Sequence, residues 1–167
     1  MHTDQRNHLL ACESCRAGDP LGFDFTMAFQ PIVDIIDRSV FAYEALVRGT
    51  DGGGAASILD RVTPQNRYRF DQACRAKAVE LASTLGVDCM LSINFLPNAI
   101  YEPSTCIRAT LAAAAKFNFP TSQLMFEISE TEDMADKAHL TSIVRDYRER
   151  GFTTAIDDFG SGYANLG

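Results

Sequence analysis

Phe25-Thr-Met-Ala-Phe-Gln-Pro-Ile-Val-Asp-Ile-Ile-Asp-Arg-Ser-Val-Phe-Ala-Tyr-Glu-Ala-Leu-Val-Arg48 contains two runs rich in Phe, Ile and Val, separated by a turn around Asp37-Arg38. Phe25 to Ile36 and Ser39 to Arg48 have the composition of strands. So short a link forces them antiparallel, because a parallel crossover needs about a dozen residues or more.

Beyond the hairpin the spacing changes character. After the loop Asp51-Gly-Gly-Gly54, residues Phe70, Cys74, Ala78, Leu81 and Leu85 recur at helical intervals, and Gly86 supplies the stop. Cys89 to Phe95 reads as a strand. Pro103-Ser104 opens a helix with Ile107, Leu111 and Ala114 on one face, ended by Asn118 and Pro120. Gln123 to Ser129 is the next strand. A helix follows from about Met134 to Arg150, with Leu140, Ile143, Val144 and Tyr147 on one face and Gly151 as terminator, and Phe152 to Phe159 is the last strand. Strands alternating with crossover-length helices imply βαβ units and a largely parallel sheet. An open doubly wound sheet and a (β/α)8 barrel both fit that pattern.

Composition narrows the function. The chain's 167 residues, 46% of them hydrophobic, suffice for one domain with a core, and disorder is not expected. Its net charge of -7 argues against binding DNA, RNA or an anionic membrane, since phosphate backbones demand clustered Lys and Arg. No apolar stretch approaches the roughly 20 residues of a membrane span, and Met1 to Asn7 leads into no signal core, so a cytoplasmic protein is expected. Cys12, Cys15, Cys74, Cys89 and Cys106 are odd in number and scattered, as in a reducing compartment. The Cys12-Glu-Ser-Cys15 pair lacks the further ligands zinc requires and reads first as unliganded thiols, with a metal or redox role as the alternative.

The chemistry lies in polar residues set amid apolar strands. Glu44, Asn94, Glu127 and the pair Asp157-Asp158 each occupy a separate predicted strand, at intervals of 50, 33 and 30 residues that each fit one βα repeat. Successive strands would deliver one ligand apiece to a shared rim. A hydrogen-bonded polar residue at a strand end explains any one of them, but less readily all four. Adjacent strand residues point to opposite faces, so Asp157 and Asp158 share a layer only if the backbone turns where the strand ends. Oxygen ligands without nearby His or Cys favour Mg2+ or Mn2+ over zinc, and the Asp pair could serve two cations, an arrangement that holds a phosphodiester and activates water. Arg48 fits either a phosphate contact or a rim ion pair.

These residues resemble the EAL family of bacterial cyclic di-GMP phosphodiesterases. The motif stands as Glu44-Ala45-Leu46, extended by Val47-Arg48, and is accompanied in order by Phe29-Gln30-Pro31-Ile32-Val33, Ser92-Ile93-Asn94, Phe126-Glu127-Ile128-Ser129-Glu130 and Asp157-Asp158-Phe159-Gly160-Ser161-Gly162. The resemblance implies a TIM-type (β/α)8 barrel with an antiparallel first strand, of which about the first five strands are expected here. It divides the chain into a polar, mobile leader over residues 1–23 and the N-terminal portion of an EAL domain over 24–167. It implies hydrolysis of cyclic di-GMP to linear pGpG with Mg2+ or Mn2+, two ions in all, in a homodimer. Glu44, Asn94, Glu127 and Asp157 would bind the first metal, Asp157 and Asp158 the second. Glu44, Asp157 and Asp158 would be catalytic, while Gln30, Leu46 and Arg48 would line the substrate pocket. The loop Phe159 to Tyr163 resembles the segment that couples metal binding to dimerisation. The family's catalytic Lys, in a later Asp-x-x-Lys block, has no counterpart before Gly167, so turnover is expected only when the remaining strands are supplied. A catalytically inactive module that binds cyclic di-GMP or a protein partner is the alternative.

Overall fold

The computed structural model describes residues 21–97, 100, 103–129 and 137–158. The hairpin forms as expected: β1 (Thr26–Asp34) and β2 (Ser39–Arg48) pair antiparallel, with a register shift between Ile32 and Val33. Arg38 takes a positive φ of 53° in the turn, and Asp34 Oδ1 accepts the Ile36 and Asp37 amides, an aspartate-built turn that closes the link.

β3 (Met90–Asn94), β4 (Leu124–Ser129) and β5 (Thr153–Asp157) then add in parallel, so the mixed sheet has the order β1-β2-β3-β4-β5. A doubly wound sheet reverses direction at a switch point, where strands consecutive in sequence are no longer neighbours. This sheet has no such reversal, and it grows one way as a barrel sheet does. The short α1 (Ala55–Leu59) and the long α2 (Arg67–Thr84) separate β2 from β3; α3 (Pro103–Cys106) and α4 (Arg108–Phe117) separate β3 from β4; α5 (Lys137–Glu149) leads into β5. The helix expected from Pro103 is thus divided at Ile107, though backbone bonds from Ile107 N–H to Pro103 O and Leu111 N–H to Ile107 O carry the spiral across. Gly86 (φ 70°) and Gly151 (φ 85°) terminate α2 and α5 in the left-handed region that a side chain resists.

The pleat sorts the two faces. Ala45, Ile93 and Phe126 are register partners on the face that meets the helices, where they join Ala78, Val79, Ala82, Ile107, Ala114, Ile143 and Tyr147 in one core. Phe95, Phe126, Tyr147 and Phe152 stack there with ring centroids 4.9 to 6.0 Å apart. Phe70 and Ala78 are buried on α2, and Cys74 and Leu81 pack at its edge, but Leu85 is 68% exposed because it lies past the last helical turn. The periodicity also misses two charged residues, Asp71 and Arg75, both buried in that helix. Among the described residues no helix is long and apolar enough to cross a membrane.

Candidate metal centre

The other face of the sheet collects the polar residues. Register pairs Gln30 with Glu44, Glu44 with Ser92 and Asn94 with Glu127, and sets Asp157 opposite Ser129, two residues beyond Glu127. Steps of two preserve the side of the sheet, so Gln30, Glu44, Leu46, Arg48, Ser92, Asn94, Glu127 and Asp157 share one face. On the parallel strands β2 to β5, Glu44, Asn94, Glu127 and Asp157 lie in the carboxyl-terminal halves, and Asn94 and Asp157 are the last residues of their strands.

Three of those residues converge. One carboxylate oxygen each from Glu44, Glu127 and Asp157 lies within 4.8 Å of the others. Asn94 Nδ2 donates to Glu44 Oε1 at 2.7 Å, which leaves the Asn94 carbonyl oxygen available as a further donor atom to a cation. Glu127 is the buried member, 7% exposed, and Glu44 is half-buried. Burial raises the Glu127 carboxyl above its ordinary range; the Ser92 hydroxyl opposes this, while the charges of Glu44 and Asp157 push it further up. Ser92 Oγ is buried without a full hydrogen bond, yet it is the main influence that lowers the Glu127 pKa.

Among the described residues none of the three carboxylates is ion-paired with a Lys or Arg. Like charges held this close are compensated by a proton or a cation, and an all-oxygen donor set suits Mg2+ or Mn2+. The residues therefore fit such an ion.

Asp158 stands outside this three-carboxylate group. β5 ends at Asp157, Asp158 adopts φ 55°, and its N–H donates to Asp157 Oδ1 at 2.8 Å. The backbone turns between the two carboxylates, the condition under which adjacent residues can serve one rim. Arg48 Nη1 donates to Val47 O at 2.7 Å, and Gln30 is exposed beside Glu44. The loop Phe159 to Tyr163, Glu130 and the Cys12/Cys15 pair lie outside the described residues. Ser92 belongs to the block Ser92-Ile93-Asn94 but gained no role from the sequence, although its place two residues before Asn94 put it on the same face.

A family model described as the EAL domain matches residues 21–167. The chain belongs to the EAL-domain family. Its fold superimposes with a TM-score of 0.83 on a standalone versatile EAL protein of Vibrio cholerae O395 in its c-di-GMP-bound form, with 56% identity over 88% of this chain and 62% of that one. BlrP1 of Klebsiella pneumoniae, in a manganese/cyclic di-GMP complex at pH 9.0, matches at 31% identity and a TM-score of 0.74, over 90% of this chain and 38% of that one. Among curated relatives, the blue light- and temperature-regulated antirepressor BluF of Escherichia coli K12 is 27% identical over 92% of this chain and 38% of its own length. The chain therefore spans less than two thirds of each of these relatives.

Proposed function

We propose that this EAL chain carries the metal-binding part of a cyclic di-GMP phosphodiesterase, which hydrolyses the cyclic dinucleotide to linear pGpG. The observation that carries the reading is the convergence of Glu44, Glu127 and Asp157 from three strands onto one unneutralised spot. The likeness to EAL proteins solved with c-di-GMP, one of them with manganese, supports the ligand and the ion.

In this reading the five strands are part of a (β/α)8 barrel over residues 24–167, after a leader over 1–23. Glu44, Asn94, Glu127 and Asp157 hold one Mg2+ or Mn2+, Asp157 and Asp158 hold a second, and the working form is a homodimer. When bound, such cations neutralise the phosphodiester and lower the pKa of an attacking water. The chain's own residues do the positioning. Asn94 fixes the Glu44 carboxylate through its amide, and the Ser92 hydroxyl favours the charged form of the buried Glu127 carboxyl. Gln30 and Leu46 line the substrate side of the same face, and Arg48 offers a guanidinium to a phosphate oxygen.

The test is hydrolysis of cyclic di-GMP with Mn2+, followed by chromatography of pGpG, in this chain and in a version extended to eight strands. Turnover in the extended protein that disappears in Glu44→Ala is expected; turnover that survives this substitution overturns the metal assignment. A second reading, a module that binds the nucleotide or a protein partner without hydrolysis, draws on the similarity to BluF, named as an antirepressor. It predicts cyclic di-GMP or partner binding with no pGpG from either version.

A further inference from the structure

We propose that Asp71 and Arg75 of α2 form a positioning clamp that holds the end of β3 in the geometry Asn94 needs to serve the metal centre; the proposal rests on the functional reading above. Arg75 is completely buried, and its Nη2 donates to Asp71 Oδ2 at 2.7 Å. Its Nη1 reaches Tyr147 Oη of α5 at 3.4 Å, and Nε has no partner. A buried ion pair is weak support for stability, because well-packed apolar residues of similar volume often serve as well or better. The pair's other contact gives it a task.

The second Asp71 oxygen, Oδ1, accepts the backbone N–H of Leu96 at 3.1 Å. β3 ends at Asn94, and Phe95 N–H donates to Glu127 O at 3.1 Å, so Leu96 is the first amide beyond the sheet bonds. Asp71 thus captures the backbone two residues past Asn94 from within a helix of 18 residues. Arg75 keeps the Asp71 carboxylate oriented, and Tyr147 ties the guanidinium to α5. The Asn94 side chain donates to Glu44 at 2.7 Å, and the clamp on Leu96 fixes the backbone from which it is directed there. Asp71 and Arg75 have no hydrogen bond or ion pair with the three clustered carboxylates, so their effect on metal binding passes through the end of β3, where Asn94 bonds Glu44 and Phe95 N–H bonds the Glu127 carbonyl.

Two double variants separate the backbone contact from the buried charges. D71N/R75M removes both charges and retains an oxygen for Leu96 N–H; D71L/R75M removes the oxygen as well. Mn2+ affinity measured by calorimetry is expected to stay within about threefold of the native chain in the first and to weaken at least about tenfold in the second, with similar melting temperatures for both. Native affinity in a folded D71L/R75M, or equal weakening in both variants, overturns the clamp. Hydrogen exchange of the native chain tests it without any variant: because coupling is reciprocal, saturating Mn2+ should slow exchange of the Leu96 amide, and an unchanged rate overturns the proposal. A native chain that binds no Mn2+ refutes the functional reading itself, whereas native binding with an unaffected D71L/R75M refutes the clamp alone.

Discussion

Replacing Glu127 with glutamine removes one negative charge from the most buried of three clustered carboxylates and leaves the side chain's shape nearly unchanged. At 4.8 Å and an effective dielectric constant of about 20, two unit charges repel by about 3 kcal/mol. Glu127 faces two such neighbours, but Glu44 and Asp157 are partly solvated, and screening lowers each term toward the roughly 1 kcal/mol or less of exposed pairs. The metal-free E127Q protein should therefore be more stable by about 1–3 kcal/mol, a rise of roughly 3–9 °C in melting temperature for a chain of this size.

The sign of the pH dependence follows from the raised Glu127 pKa. A carboxyl whose folded pKa lies above its unfolded value binds its proton more tightly when folded. It favours folding at acid pH, and that contribution is lost as pH rises from the ordinary carboxylate range through the folded pKa. The gain from E127Q should accordingly be small near pH 4 and largest above neutrality. Mn2+ should reverse the ranking: losing a charge worth about 3 kcal/mol to a cation weakens affinity by about 100-fold, so the native chain should gain more stability from the ion than the variant. Thermal melts at several pH values, with chelator and with Mn2+, read all of this. A variant less stable than the native chain in chelator, or equally stabilised by Mn2+, would refute the repulsion argument.

Asn94→Ala removes the amide that holds Glu44 and should weaken Mn2+ binding by about tenfold, read by calorimetry, while the melting temperature in chelator stays within a few degrees. Burial, with Asp71 adding to it and Arg75 opposing, pushes the Cys74 thiol far above its ordinary value, so a thiol reagent at pH 8 should leave Cys74 unlabelled until denaturant unfolds the chain; peptide mapping checks this. Phe126→Ala, at a fully buried ring stacked on Tyr147 and Phe152, should cost about 3–5 kcal/mol in denaturant unfolding. Gly86→Ala forces a side chain into φ 70° and should cost about 1 kcal/mol by the same measurement.

The legible parts of this molecule are those set by local periodicity. The Asp37-Arg38 turn between two strand runs dictated an antiparallel pair, and the apolar stripes of α4 and α5 located their helices. The burial of Asp71 and Arg75 was illegible for a physical reason: their i,i+4 spacing reads as an ion pair on a solvated helix face, and only a phenol and an orphan amide from distant segments explain why it is buried. Leu85 shows the converse, since an apolar residue past the final turn of α2 no longer shares the helix's buried face.

For the candidate site the division is similar. Sequence alone determined which residues offer oxygen donors and that Glu44, Asn94, Glu127 and Asp157 belong to separate strands, because residue type and βα spacing are one-dimensional properties. Only the tertiary structure decided which of them meet. Strand register brings Glu44, Glu127 and Asp157 within 4.8 Å, whereas Asp158, past the end of β5 in a left-handed turn, is not one of that group. Register and backbone turn arise from pairing between segments tens of residues apart, and no local pattern encodes them.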